Sequence, residues 1–128
     1  MRSDRGGVTI LVIGWVAVIS MVGVAATSVG ALIAAREEAY TAAEAGALAA
    51  AVATYPAAGS GSPAALAAEY ATRNGSRLVS CRCPVDLSMR PRTVAVMTVR
   101  EVEVLVFGRI SVRAAARAEF DPGLWLGE

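Results

Sequence analysis

The feature that most constrains this chain is a run of thirty residues, 6–35, without a charged side chain (GGVTILVIGWVAVISMVGVAATSVGALIAA). A helix crosses the hydrocarbon core of a bilayer, about 30 Å, with about 20 apolar residues, and the dry core requires its backbone to hydrogen-bond internally. The run predicts a transmembrane helix over residues 8–35, preceded by an N-terminal segment, residues 1–7. A cleaved secretory signal is the alternative, but signal cores are only about 7–15 residues long.

Arginines flank this apolar run unequally. Arg2 and Arg5 precede it, whereas only Arg36 follows closely, beside Glu37 and Glu38. The flank that is richer in Lys and Arg usually stays in the cytoplasm. We therefore expect a single-pass protein of the cell membrane with a cytoplasmic N-terminus and an extracytoplasmic C-terminal domain.

Small residues recur every fourth position in the outer half of the predicted span. They form two rows, Gly23, Thr27 and Ala31, and Ala26, Gly30 and Ala34. Small residues at this spacing allow two membrane helices to approach closely. The rows are therefore candidates for helix packing, although 27 alanines in the chain can also produce such spacing by chance.

Helix-forming residues continue beyond the span. Residues 36–55 are mainly Ala, Glu and Leu, and Gly46 is the only helix-weakening residue before Pro56. We expect one continuous helix from about Val8 to Tyr55, whose second part is an extension outside the membrane. This extension has few large side chains, so it needs a partner, either the downstream domain or neighbouring copies; a plain stalk is the alternative.

A small domain is predicted over residues 63–128. Residues 56–62 have the composition of a flexible linker, and the Ser-Pro step that follows predicts a short helix ending before Gly75. Leu66 and Tyr70 are its expected buried stripe. Strand patterns follow, at residues 77–83, 93–107 and 109–120, of which residues 93–107 are one long strand or two strands with a bend near Arg100.

The predicted fold class is α+β: a long N-terminal helix followed by a small antiparallel sheet with one short helix. The last two strands form a hairpin in which alternate apolar residues share one face. A three-residue loop centred on Gly108 gives the expected pairs, Val106 with Ile110, Val104 with Val112 and Glu103 with Arg113. A shift by two residues would instead pair Glu101 with Arg113.

The residue inventory argues against several classes of function. The chain has no His and all twelve cations are Arg, which removes the commonest general base, metal ligand and Schiff-base nucleophile. A net charge of +1 argues against a nucleic-acid binder. We therefore expect no enzyme, no catalytic or metal site, no cofactor and no nucleic-acid partner.

Cys81 and Cys83 are the only cysteines. Residues two apart in a strand have Cα atoms about 6.5–7 Å apart, at the limit for an unstrained disulfide. Three states stay open: a local bridge, bridges to another chain, and reduced thiols on an apolar face.

Several segments together resemble a known family. They are residues 4–7, the apolar helix, residues 35–36 and the alanine-rich run 42–51 (AAEAGALAAA), then residues 73–81 and 113–118. The N-terminal segments resemble the TadE/TadG-like proteins of tight-adherence (Flp-type) pili and related secretion systems. The C-terminal pattern is similar to TadE-like proteins of actinobacterial helicase and secretion gene neighbourhoods.

This resemblance implies a non-enzymatic, pilin-like membrane protein, a minor or scaffold component of such a pilus or secretion apparatus. Its implied partners are membrane lipid, other pilin-like or Tad-system membrane proteins, and further copies of itself. The sequence departs from pilins in one respect, because Leu11 or Val12 stands where they commonly carry a glutamate after the processing glycine. A monomeric, membrane-tethered binding module is the alternative function.

Overall fold

A computed structural model describes residues 4–56 and 61–127. Its elements, in chain order, are α1 (Asp4–Ala53), α2 (Pro63–Arg73), β1 (Arg77–Arg82), β2 (Arg92–Val104), β3 (Gly108–Phe120) and α3 (Pro122–Leu126). The strands form one antiparallel sheet of order β1-β2-β3. This confirms the predicted α+β fold class and adds α3, a second short helix. Most of the predicted linker, residues 57–60, lies outside the described residues, as do residues 1–3.

The helix α1 is continuous for 50 residues, about 75 Å at 1.5 Å per residue. Alanine is frequent from residue 25 onward and favours the helix there, and α1 ends three residues before Pro56, in keeping with the restriction that proline places on the residue before it. Its two halves have different surroundings: the first is exposed and the second packs against the sheet.

The core lies between the second half of α1 and the inner face of the sheet. From α1 it takes a row of buried alanines at helical spacing: Ala35, Ala39, Ala42, Ala43, Ala47, Ala50 and Ala51. We call this row the alanine seam. The last four of these pack in one cluster with Val94, Val96, Ala116, Ala118 and Phe120 of the sheet. The partner that the extension requires is therefore the chain's own downstream domain, here called the head (residues 61–127).

Small residues also mediate the contact between α1 and α2. On α2 the buried residues are Pro63, Ala67 and Ala71, whereas Tyr70 is exposed and Leu66 only half-buried. The predicted stripe of Leu66 and Tyr70 is therefore wrong. The physical reason is close packing: a Cβ added to buried Gly46 would lie 3.1 Å from the carbonyl oxygen of Ala67, which leaves no room for larger side chains.

The β2–β3 hairpin has the predicted faces but a different register. Val104 pairs with Gly108, Glu103 with Arg109, Val102 with Ile110, Glu101 with Ser111, Arg100 with Val112 and Val99 with Arg113, so both predicted registers are wrong. The turn is formed by residues 105–107, and the Phe107 N–H donates to the Val104 carbonyl over 3.1 Å. Gly108 follows the turn with φ 69°, the left-handed residue that such a loop needs at its end rather than its centre.

Candidate functional site

The first part of α1 is exposed on all sides. Every side chain from residue 6 to residue 27 is exposed, and burial begins at Ser28. These 22 residues, here called the exposed span, cover about 33 Å of helix, close to the thickness of a bilayer core of about 30 Å. Over the described residues, α1 is the single helix that is long and apolar enough to cross a membrane, judged by length and composition.

Hydroxyl groups in the exposed span and just beyond it are bonded within the helix. Ser20 donates to the Val16 carbonyl over 2.8 Å, and Ser28 donates to the Val24 carbonyl over 2.8 Å. Thr27 donates to the carbonyls of Gly23 and Val24, over 3.1 and 3.0 Å. Bonds of this kind satisfy a hydroxyl without water, so these residues are compatible with a surrounding of lipid.

The two predicted rows of small residues lie on a side of α1 that the head leaves open. Gly23, Ala26, Thr27, Gly30 and Ala34 are exposed, and Ala31 alone is half-buried. A Cβ added at Gly23 or Gly30 would meet no atom within 4 Å. At about 100° per residue, this side is roughly 150° around the helix from the side that faces the head. Whether a second helix packs there stays a prediction.

The turn of the β2–β3 hairpin is a feature that the sequence analysis missed. Its three residues, Leu105, Val106 and Phe107, are consecutive, apolar and exposed; we call them the hairpin tip. Turns are normally rich in Gly, Pro, Asn, Asp and Ser, so an apolar LVF next to a glycine was the available signal. The tip lies beside α1 at residues 20–28, where the two enclose an apolar groove of about 430 Å³.

Two polar contacts fix the head to the middle of α1. Thr98 is completely buried, and its hydroxyl donates to the Ala39 carbonyl over 2.8 Å. The Arg100 guanidinium lies 2.6 Å from the Glu38 carboxylate and donates to the Gly75 carbonyl over 2.9 Å. Because the ion pair is partly exposed, it adds little stability, but together these contacts define how the sheet lies along the helix.

At the far end of α1, a loop is held against the helix terminus. The Asp86 N–H donates to the Thr54 carbonyl over 3.0 Å, and the Arg92 guanidinium donates to the carbonyls of Asp86, Ser88 and Thr54. The Asp86 carboxylate accepts hydrogen bonds from the backbone N–H and the hydroxyl of Ser88, both 2.8 Å. These bonds, the backbone one foremost, lower the pKa of Asp86 below its ordinary value of 3.8, and the cations Arg92 and Arg90 act in the same direction.

A lowered pKa makes the stability of the head depend on pH. Ionised Asp86 stabilises the folded state at pH values above the pKa of the unfolded chain, and this contribution is lost as the pH falls through the lower folded pKa. We expect Asp86→Asn to lower the melting temperature of the detergent-solubilised chain at pH 7, and the difference from wild type to shrink below about pH 4. Circular dichroism between pH 7 and pH 2.5 measures it. A difference that stays constant over this range would contradict the assignment.

Cys81 and Cys83 form a disulfide with each other. Their Cα atoms are 5.4 Å apart, closer than the strand spacing predicts, because β1 ends at Arg82 and Cys83 lies outside the strand. The bridged pair packs against the edge of the core. Within residues 4–56 and 61–127, no three His, Cys, Asp or Glu side chains are grouped so that they could hold a metal ion.

These features define a class: a protein with one exposed apolar helix that continues, unbroken, into the core of its own head. Residues 6–53 match the model of the Flp pilus-assembly TadE/G-like family. The matched segment coincides with nearly the whole of α1, so the predicted resemblance to TadE/TadG-like proteins is confirmed over this helix. The family is a pilus-assembly family and not a known enzyme family. Searches of the curated proteins and of the solved structures found no match to the chain.

Proposed function

We propose that this chain is a non-enzymatic, pilin-like membrane protein and a minor or scaffold component of a Flp-type pilus or a related secretion apparatus. The observation that carries the proposal is the coincidence of the family match, residues 6–53, with a helix whose first half is exposed and apolar. The exposed span, residues 6–27, crosses the membrane, with the N-terminus in the cytoplasm and the head outside. Residues 28–35, predicted as part of the span, then lie under the head at the membrane surface.

The proposed mechanism is physical and needs no catalytic group. Before assembly, lipid surrounds the exposed span; in the assembly, helices of neighbouring subunits replace part of that lipid. Since lipid chains are as apolar as the helix, the free energy that favours helix association comes from close packing between helices. Three residues of the two rows, Gly23, Ala26 and Thr27, lie within the exposed span and supply the surface for it, because they point away from the head and leave the backbone accessible. Gly30, Ala31 and Ala34 continue the rows at the membrane surface.

Cysteine cross-linking in native membranes tests this assembly. We expect Gly23→Cys and Ala26→Cys to form disulfide-linked dimers on mild oxidation, because both positions lie on the open side of α1. Met21→Cys is the matched control: it lies at a similar depth but lines the groove under the hairpin tip. Non-reducing gel electrophoresis separates the products.

The control decides the interpretation of the cross-linking. Dimers from Gly23→Cys and Ala26→Cys, with monomer from Met21→Cys and from wild type, support packing through the small-residue side. Equal yields from all three positions would indicate random collision. Monomer throughout would instead favour the alternative function, a membrane-tethered binding module that acts alone.

A further inference from the structure

We infer that the hairpin tip inserts into the membrane leaflet beneath the head, so that the head is held on the bilayer by a second contact besides α1. The inference rests on the proposed membrane span and goes beyond it, because it assigns a lipid-binding role to a turn of the head domain. Its partner is the acyl-chain region of the lipid bilayer.

The position of the tip is the first argument. Val106 and Phe107 line one wall of the apolar groove, and Met21, Val24 and Ala25 of α1 line the other. All three belong to the exposed span. The tip therefore lies beside helix residues that the proposed topology places in lipid, across a groove of about 430 Å³.

The exposure of the tip is the second argument. Leu105 is 87% exposed, Phe107 70% and Val106 59%. Exposing apolar area to water costs about 25 cal/mol per Å², and three such side chains in succession are unusual for a turn. Continuity with the exposed span indicates what covers them, since the tip and the helix line one groove that is apolar apart from Ser20 and Ser28, whose hydroxyls are bonded within the helix.

The depth of the tip is the third argument. If residues 6–27 fill the hydrocarbon core, the core ends near Thr27, and the groove extends along residues 20–28, about 12 Å of helix. The tip would then reach about 5–10 Å into the leaflet, as interfacial apolar segments do. The first charged residues behind it, Glu103 and Arg109, are paired neighbours in the sheet and mark the polar boundary.

Tryptophan fluorescence of the full chain in phosphatidylcholine vesicles tests the inference. Quenching by lipids brominated on the acyl chain reports contact with lipid, and placing the bromine near the headgroup or near the methyl end reports depth. Three single-tryptophan chains are compared: native Trp15 (with W125F), native Trp125 (with W15F), and F107W in the W15F/W125F background. L105W in the same background is a second probe of the tip.

The two native tryptophans are internal controls. Trp15 lies near the middle of the exposed span, and we expect strong quenching by bromine at the methyl end. Trp125 lies near Phe120, at the end of the sheet opposite the tip, and we expect no quenching. F107W and L105W are expected to lose most of their emission, more with bromine near the headgroup than near the methyl end.

The outcomes separate this inference from the proposed function. Quenching of Trp15 without quenching of F107W or L105W keeps the span and overturns insertion of the tip. In that case a blue-shifted probe would show that protein covers the tip, either the chain's own α1 or a second copy, and a red-shifted one that the tip is in water. Absence of quenching at Trp15 as well would overturn the span, and with it this inference.

Discussion

A fragment that begins at Ala57 is expected to aggregate or remain unfolded, whereas one that begins at Ser28 is expected to fold. The first fragment lacks α1 and exposes the inner face of the sheet, including the fully buried Val94, Val96 and Val104. Covering a side chain of this size contributes about 1.5–3 kcal/mol. Exposing all three valine side chains to water therefore costs a free energy comparable to the whole stability of a small domain, about 5–15 kcal/mol.

Size-exclusion chromatography and circular dichroism of the two fragments measure this difference. The longer fragment retains the whole alanine seam and both polar contacts of α1, at Ala39 and Glu38, but lacks the entire exposed span. It therefore separates the structural part of α1 from the membrane part. A monomeric, cooperatively unfolding fragment from Ala57 would refute the dependence of the head on α1 and favour the binding-module alternative.

Gly46→Leu is expected to destabilise the head by about 3 kcal/mol, at the upper end of what overpacking costs. A Cβ at this position would lie 3.1 Å from the backbone oxygen of Ala67 and 3.4 Å from a methyl group of Val96, so a leucine side chain would have to displace these atoms. The backbone oxygen cannot move without displacing α2. Such a loss lowers the melting temperature of a domain of this size by roughly 12–24 °C.

The matched control is Gly14→Leu, the same substitution in the exposed span. A Cβ at Gly14 meets no atom within 4 Å, and leucine is the better helix former. We expect unchanged stability of the head for this variant. Trypsin cleavage at the strand arginines, followed in detergent as the temperature rises, measures both variants. Equal cleavage temperatures would contradict close packing at Gly46.

The fold class was predictable because periodicity and composition act locally. The charge-free run and the absence of a breaker before Pro56 require a long helix, and alternation after residue 92 requires strands. The face of the hairpin was also predictable, because the predicted and observed registers differ by an even number of residues, so Val102, Val104, Ile110 and Val112 keep their side of the sheet. The register of the hairpin was not predictable, because the register depends on whether Gly108 lies within the loop or follows it.

The core was not predictable from the usual guide that large apolar residues are inside. On the extension of α1, Leu48 is 63% exposed while the alanine seam is buried. The contact is decided by how closely two backbones approach, and a sequence full of alanine does not say which alanines are at the contact. The candidate site was also predictable only in part. The small-residue rows could be predicted from their four-residue spacing. The position of the hairpin tip beside α1 could not, because it depends on where the sheet lies along the helix.

The alanine seam has a mechanical consequence. Because α1 is unbroken and its second half is embedded in the head, the head cannot rotate independently of α1. The orientation of the head about the membrane normal therefore follows the rotation of α1 about the helix axis. Two subunits that meet through their open sides would therefore hold their sheets on opposite flanks. Any rotation of the helix inside the bilayer turns the head through the same angle.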